Sequence, residues 1–425
     1  MAKINAGTPR PGTGANFRST YIILFALVAA GLYAIGVRVT GGLEATGLTS
    51  ITSWGAWVAF YIYFVGLSAG AFLLSTLIYV FGMHRFEKIG REALLVSLIS
   101  MMVALCFILL DLGRMDRFAY ALWFGNATSI LAWEVRFYLA YILLLAAELY
   151  YSMRPDLVRL SRESSLRGRL AAVLTRNNGD LSEASRQRDR RILKVLGSLG
   201  IPLATLGVHG GTGTLFAVVK AQPYWNSALF PIIFVVSALV SGTALLMVLH
   251  TFRCRRQGRE VDLSLVQGLG MLLLGFLAMD LMLEFYEFLI GAYRLEAAEW
   301  VTLASLFSGR YAWSFWGIQM GLGALVPVMI LVRGSKNSAG TLNLAALLVL
   351  VGILAVRFHI VLPPLALPQL PGLPWGHYSP TWVEWVSSTG LVALGMLMYL
   401  LGTAVLPVDD TTDDTTKEKR SMVHG

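Results

Sequence analysis

The chain reads as an all-α integral membrane protein. About ten transmembrane helices are expected, as two four-helix bundles of the same orientation with one further helix at each end. Three observations predict this. Of the 425 residues, 56% are hydrophobic and only 14% charged, whereas a soluble domain carries about 25% charged residues. Apolar windows of about 20 residues, enough to cross the hydrocarbon core, recur along the chain. Lys and Arg gather in every second connection between the windows.

The windows fall near 20–37, 54–82, 92–112, 129–152, 195–219, 226–251, 265–291, 313–332, 341–362 and 383–405. The first follows a polar lead-in without a signal-peptide core or cleavage site. The second carries the small-residue run FVGLSAGAFLLS, and the third ends on the acidic LDLGRMDRF. Trp133 opens the fourth, Pro202 loosens the fifth, and the sixth repeats small residues in VSALVSGTALLM. The seventh bears three acids, the eighth opens on tryptophans, the ninth holds Arg357 and His359, and Glu384 opens the tenth. Glu384 is expected at the interface.

Most of the 34 Lys and Arg residues lie in 1–19, 83–91, 153–194, 253–259, 333–336 and the C-terminal tail. These segments share one side if there are ten spans, so the positive-inside rule puts both termini in the cytoplasm. The net charge of +9 therefore reports topology rather than nucleic-acid binding. The segment 153–194 is expected as a solvated linker, with a short amphipathic helix as the alternative. The Pro-rich segment 363–382 is expected as a rigid cap on the outer side, or a surface for a partner.

Spans two and six share small-residue runs, spans three and seven share LDL and MDL, and spans four and eight pair Trp133 with Trp316. The order is kept at a spacing of roughly 170–180 residues, as a parallel repeat requires. The expected units are a cytoplasmic tail (1–19), a first span with its outer loop (20–53), a first bundle (54–219) and a second bundle (220–362). An outer loop with the last span (363–405) and a cytoplasmic tail (406–425) make up the remainder.

Ionisable residues within spans are costly and mark function. Asp280, Glu284 and Glu287 recur at helical spacing on span seven. Asp280 lies about 22 Å from the start of that span, in the outer half. The stripe is either a buried network with Arg357 or Arg310, or a proton route. His209 sits deep in span five with Thr205 and Thr212 on its face. Its imidazole can hydrogen-bond a carbonyl and exchange a proton. Asp111 and Arg114 close span three, three residues apart and able to pair. Glu134 enters span four at similar depth and shares its face with Tyr138 and Tyr141. Glu148, nearer the cytoplasmic end, is a snorkelling residue or part of an inner proton route. The inner half shows no comparable ladder of acids. Only Cys106 and Cys254 occur, too few for a cysteine-held cluster or c-type haem. No metal site is expected.

These features together resemble the polysulfide-reductase membrane-subunit family, also called NrfD-like or PsrC-like, in its ten-span branch. The resemblance rests on FVGLSAGAFLLS at 64–75, LDLGRMDRF at 110–118, NATSILAWEVR at 126–136 and the stretch after His209, and spans about 55–410. It implies a multi-pass subunit of a bacterial or archaeal cytoplasmic membrane. It further implies that the subunit exchanges electrons between a quinone, menaquinone or ubiquinone, and an iron–sulfur subunit docked on the outer face. Such a complex also contains a catalytic or cytochrome subunit. The chain itself would hold no haem or cluster.

Carried over residue by residue, the headgroup site falls near Ser68, Asp111, Arg114, Glu134 and His209, with His209 and either Asp111 or Glu134 as the proton acceptors. Arg114 would keep a carboxylate charged. Eight-span relatives use a tyrosine where span five here has His209, so their hydrogen-bonding scheme does not transfer directly. Asp280, Glu284, Glu287, Arg357 and Glu148 make the expected proton route. Two rivals remain open: a secondary transporter with a parallel repeat, and a b-type cytochrome anchor using His209 and His359 as axial ligands.

Overall fold

The computed structural model describes residues 14–408 except 177–178, 295, 334–337, 369–371 and 373. Most of the N-terminal tail and all of the C-terminal tail beyond Val408 lie outside the described residues. Among the described residues ten helices are long and apolar enough to cross a membrane. They are α1 (Arg18–Ala45), α2 (Ala56–Tyr79), α3 (Gly90–Asp111), α4 (Ile130–Leu160), α5 (Glu183–Ala217), α6 (Phe230–Arg256), α7 (Leu263–Arg294), α8 (Ser314–Val332), α9 (Ala339–Leu365) and α10 (Trp382–Val405). The protein is a multi-pass, all-α membrane protein. Below, the side bearing the loops after α2, α4, α6 and α8 is called the basic face.

Helix α2 forms the centre, with 94% of its apolar window buried. It packs on α3 and α6, which in turn contact α10 and α7 respectively; α4 and α5 close one side, α8 and α9 the other. Close approach depends on missing side chains. A Cβ on Gly70 would strike the Ala238 carbonyl, and one on Gly242 would strike the backbone of Gly70 and Ala71. These are the glycines that the internal alignment equates. Gly31 with Gly390 and Gly323 with Gly352 make equally tight crossings of α1 on α10 and α8 on α9. Where lipid offers no hydrophobic drive between helices, such backbone contact supplies the attraction.

Several helices run past their expected ends. Helix α4 continues to Leu160 and α5 begins at Glu183, so both project beyond the apolar windows on the basic face. There Arg91 pairs with Asp156 at 2.7 Å and Arg154 with Asp189 at 2.7 Å, all four side chains buried. The connection after α4 is not a plain linker: it contains a short helix, Leu166–Leu174, started by the Ser165 side chain accepting from Gly168 N. On the opposite face, the loop before α10 folds back onto the bundle. The Tyr378 hydroxyl accepts from Ala56 N at 2.6 Å, capping α2, and donates to Glu384. Glu384 is fully buried rather than interfacial, because it also accepts from Gly47 N and Thr381 N.

Candidate functional site

Two helices that carry the polar centre depart from regular α geometry. Residues Leu203–His209 of α5, directly after Pro202, form a π-helical segment, as do Ser314–Leu325 of α8. Proline removes a backbone donor and crowds the preceding turn. The resulting wide turn re-aims side chains, a device common at functional sites. His209 on α5 and Gln319 on α8 both lie within these segments.

The first bundle holds a buried hydrogen-bonded cluster. Glu134, 1% exposed, accepts from the Tyr61 hydroxyl at 2.7 Å and from the Tyr138 hydroxyl, both at Oε1. The two phenol oxygens lie 2.7 Å apart, and Tyr138 meets the Thr212 hydroxyl at 2.8 Å. Glu134 Oε2 is buried without a hydrogen-bond partner. One turn from Thr212, His209 is fully buried, and neither ring nitrogen has a hydrogen-bond partner. It is therefore not a hydrogen-bonded core histidine. Its ring lies 5.3 Å from that of Phe234, and a Cβ on Gly66 would sit 3.2 Å from its Cε1 and Nε2. The glycine of FVGLSAG thus makes room for the imidazole against the α2 backbone.

Below this cluster, towards the basic face, Ser68 donates to Ser97 O at 2.7 Å, and Tyr141 meets Ser97 Oγ at 3.0 Å. Two turns further along α4, Glu148 is completely buried beside Gly197 of α5, with both oxygens unpartnered. It does not snorkel. Glu134, Tyr138, Tyr141 and Glu148 line one buried stripe of α4, so hydroxyls and one acid, Glu148, occupy its half nearer the basic face.

Asp111 and Arg114 do not join this cluster, and they do not pair with each other. Helix α3 stops at Asp111, Leu112 is extended, and Arg114 turns outward to an exposed pair with Asp116 at 3.1 Å. Asp111 instead stands within electrostatic reach of Arg38 and Glu384. Arg38 donates to Leu110 O at 3.0 Å and Leu112 O at 2.8 Å, satisfying carbonyls at the end of α3 that a helix leaves open. Asp111 Oδ1 is buried without a hydrogen-bond partner.

In the second bundle Asp280, Glu284 and Glu287 are all buried, as the stripe required. Arg357, fully buried, donates to Ser237 Oγ at 2.8 Å, lies 4.7 Å over the Phe234 ring and is within electrostatic reach of Asp280 and Glu284. Arg310 is exposed and reaches His377 at 3.5 Å, so it takes no part. Gln319 donates to Glu284 at 3.2 Å, and Ser227 donates to Glu287 at 2.7 Å. His359 contacts Gln319 Oε1 at 2.6 Å and Ser314 Oγ at 2.8 Å. A narrow cleft lies among Phe230, Phe234, Glu284, Glu287, Gln319 and His359. Both nitrogens of His359 are engaged in these hydrogen bonds.

Tyr61 and Gln319 were missed by the sequence reading. Tyr61 shares a face of α2 with Ser68, seven residues on, and Gln319 is an amide within an apolar run; either pattern marks a polar side chain aimed inward.

A profile of the family described as polysulphide reductase, NrfD, matches residues 44–368. The chain belongs to this family. Within it the chain is similar to a selenate reductase subunit of Mesobacillus selenatarsenatis, 40% identical over 407 residues, covering 91% of this chain and 93% of the relative. It is 28% identical over 411 residues to the Hdr-like menaquinol oxidoreductase integral membrane subunit of Archaeoglobus fulgidus, covering 92% and 93%. A polysulfide reductase polypeptide of Wolinella succinogenes is 27% identical over 312 residues, covering 72% of this chain and 92% of the relative. These NrfD-family relatives are named as parts of oxidoreductases.

Proposed function

We propose that the chain is the quinone- or quinol-reactive membrane subunit of a multi-subunit respiratory oxidoreductase. It resides in the cytoplasmic membrane of a bacterium or archaeon with both termini in the cytoplasm. The headgroup site lies in the first bundle, α2–α5. One observation carries this reading: a buried carboxylate takes two phenols on one oxygen and keeps the other unpartnered, and one helix turn from Thr212, which meets one of those phenols, lies a buried imidazole with two unpartnered nitrogens. The Archaeoglobus relative is named a menaquinol oxidoreductase subunit, so menaquinone is the favoured substrate, with ubiquinone the alternative.

Oxidation of a quinol releases two electrons and two protons. Glu134 Oε2 and a ring nitrogen of His209 are the acceptors for those protons, since deprotonation has to accompany electron loss. Tyr61 and Tyr138 hold the carboxylate through Oε1 and leave Oε2 without a donor, available to accept from a substrate hydroxyl. Gly66 and the π-turn at Leu203–His209 position the imidazole. Ser68, Ser97 and Tyr141 continue the polar stripe to Glu148, the proton route of the first bundle. Asp280, Glu284, Glu287 and Arg357 form a second proton-handling group. The electrons pass to a partner subunit that holds the iron–sulfur cluster, since two cysteines are too few to hold one here; that partner docks on the face opposite the basic loops.

The test uses the chain assembled with its partner subunits. Glu134→Gln and His209→Gln each lower quinol-linked turnover about 100-fold or more. Full turnover in both variants would place the site elsewhere, and a loss confined to Glu284→Gln would move it to the second bundle.

A further inference from the structure

A polar recess away from both acidic groups lies on the basic face. It lies between the ends of α6 and α10 and is lined by Phe252, Arg253, Arg256, Gln257, Tyr399 and Thr403. Two arginines therefore line one recess at the level where apolar helices meet basic loops.

The recess is built rather than incidental. Glu92 is fully buried and accepts from Arg253 at 3.0 Å and from Tyr399, with His250 at 3.4 Å. The wall bearing Arg253 and Tyr399 is thus fixed from behind by a charge-assisted network. Arg256 is oriented from α1: it donates to the Tyr21 hydroxyl at 2.7 Å and lies 5.6 Å from the Tyr21 ring centre. One helix turn or so nearer the membrane centre, Phe25 of α1 and Met396 of α10 are 55% and 54% exposed, and Phe252 at the recess is 43% exposed. Fixed cations beneath an apolar outer surface match an amphiphile with an anionic head and hydrocarbon tails.

We propose that this recess is a binding site for the phosphodiester head of an anionic phospholipid. Arg253, Arg256 and Gln257 supply N–H donors to the phosphate, and the acyl chains lie along Phe252, Phe25 and Met396. Basic pockets between transmembrane helices are the expected location for such lipids. The bound lipid ties α1 and α10, which pack together at Gly31 and Gly390, to the end of α6.

The full chain, purified in mild detergent and delipidated, is titrated with dioleoyl phosphatidylglycerol, dioleoyl phosphatidylcholine or inorganic phosphate, and bound species are counted by native mass spectrometry. One phosphatidylglycerol binds first, with an affinity at least about tenfold above that of phosphatidylcholine or phosphate. Arg256→Gln weakens that first binding about fivefold or more, whereas Arg255→Gln, with the same charge loss on an exposed neighbour outside the recess, leaves it unchanged. Arg256→Lys recovers part of the affinity and guards against misfolding as the cause. Equal binding by Arg256→Gln and Arg255→Gln overturns the site, as does phosphatidylcholine matching phosphatidylglycerol. Inorganic phosphate binding as tightly as the lipid would overturn the assignment to a lipid head.

Discussion

His209 and Arg357 meet at a single aromatic ring. The imidazole of α5 lies 5.3 Å from the centre of Phe234, and the guanidinium of α9 lies 4.7 Å from it. Phe234 belongs to α6, so one side chain separates the polar cluster of the first bundle from the acidic group of the second. Charge on either side is felt on the other through an apolar layer, where electrostatic interactions are weakly screened.

Arg357 also stands within electrostatic reach of Asp280, so the two buried groups are expected to be coupled. Removing one buried charge leaves the other uncompensated, whereas removing both relieves the cost. Arg357→Met is expected to lower thermal stability strongly, and Arg357→Met with Asp280→Asn to recover much of it. Thermal unfolding of the purified variants in a double-mutant cycle should give a coupling of about 0.5–3 kcal/mol. A coupling of zero would mean that the two side chains do not sense each other.

Tyr61 and Tyr138 predict a graded pattern. Each phenol donates to the same oxygen of Glu134, so Tyr61→Phe or Tyr138→Phe leaves the carboxylate with one donor. Steady-state assays should show turnover reduced in both single variants and more severely in the double variant. Unchanged turnover in the double variant would show that the phenols do not support the reacting group.

Arg114→Ala should have no effect on turnover or on the thermal midpoint. The residue makes only an exposed pair with Asp116, the class of interaction that contributes least. Arg38→Ala is the contrasting variant: it strips hydrogen bonds from the end of α3 and leaves Asp111 without its nearby cation. Loss of folded protein is expected there in a detergent-solubility assay.

Gly70→Ala should destabilise the protein by about 1–3 kcal/mol, the cost of forcing a methyl into packed backbone. Nothing lies within 4 Å of a Cβ built at Gly36, so Gly36→Ala should be tolerated. Thermal unfolding of the two variants compares a helix crossing with an open surface.

What could be read from the residues alone was depth and face, one helix at a time. Glu134, Tyr138 and Tyr141 fall on a common stripe of α4 by spacing, and the acids of α7 do likewise, so both stripes were legible. Which helix stands beside which was not. Asp111 and His209 have similar depth, yet Asp111 stands in electrostatic reach of Arg38 and Glu384. The Asp111–Arg114 pairing failed for a local reason: a three-residue spacing brings side chains together only while the helix continues, and here it ends at Asp111. Tyr61 escaped notice because one phenol in an apolar run resembles a packing residue until its partner across the bundle is known.

The location of the headgroup site is tested most directly by photolabelling. A menaquinone analogue carrying a photoreactive group on its ring is bound to the assembled complex, irradiated, and the labelled peptides are identified by mass spectrometry. Label on α2, α4 and the His209 segment of α5, displaced by excess menaquinone, is the predicted result. Displaceable label on α7 to α9, around Glu284, Gln319 and His359, would contradict it.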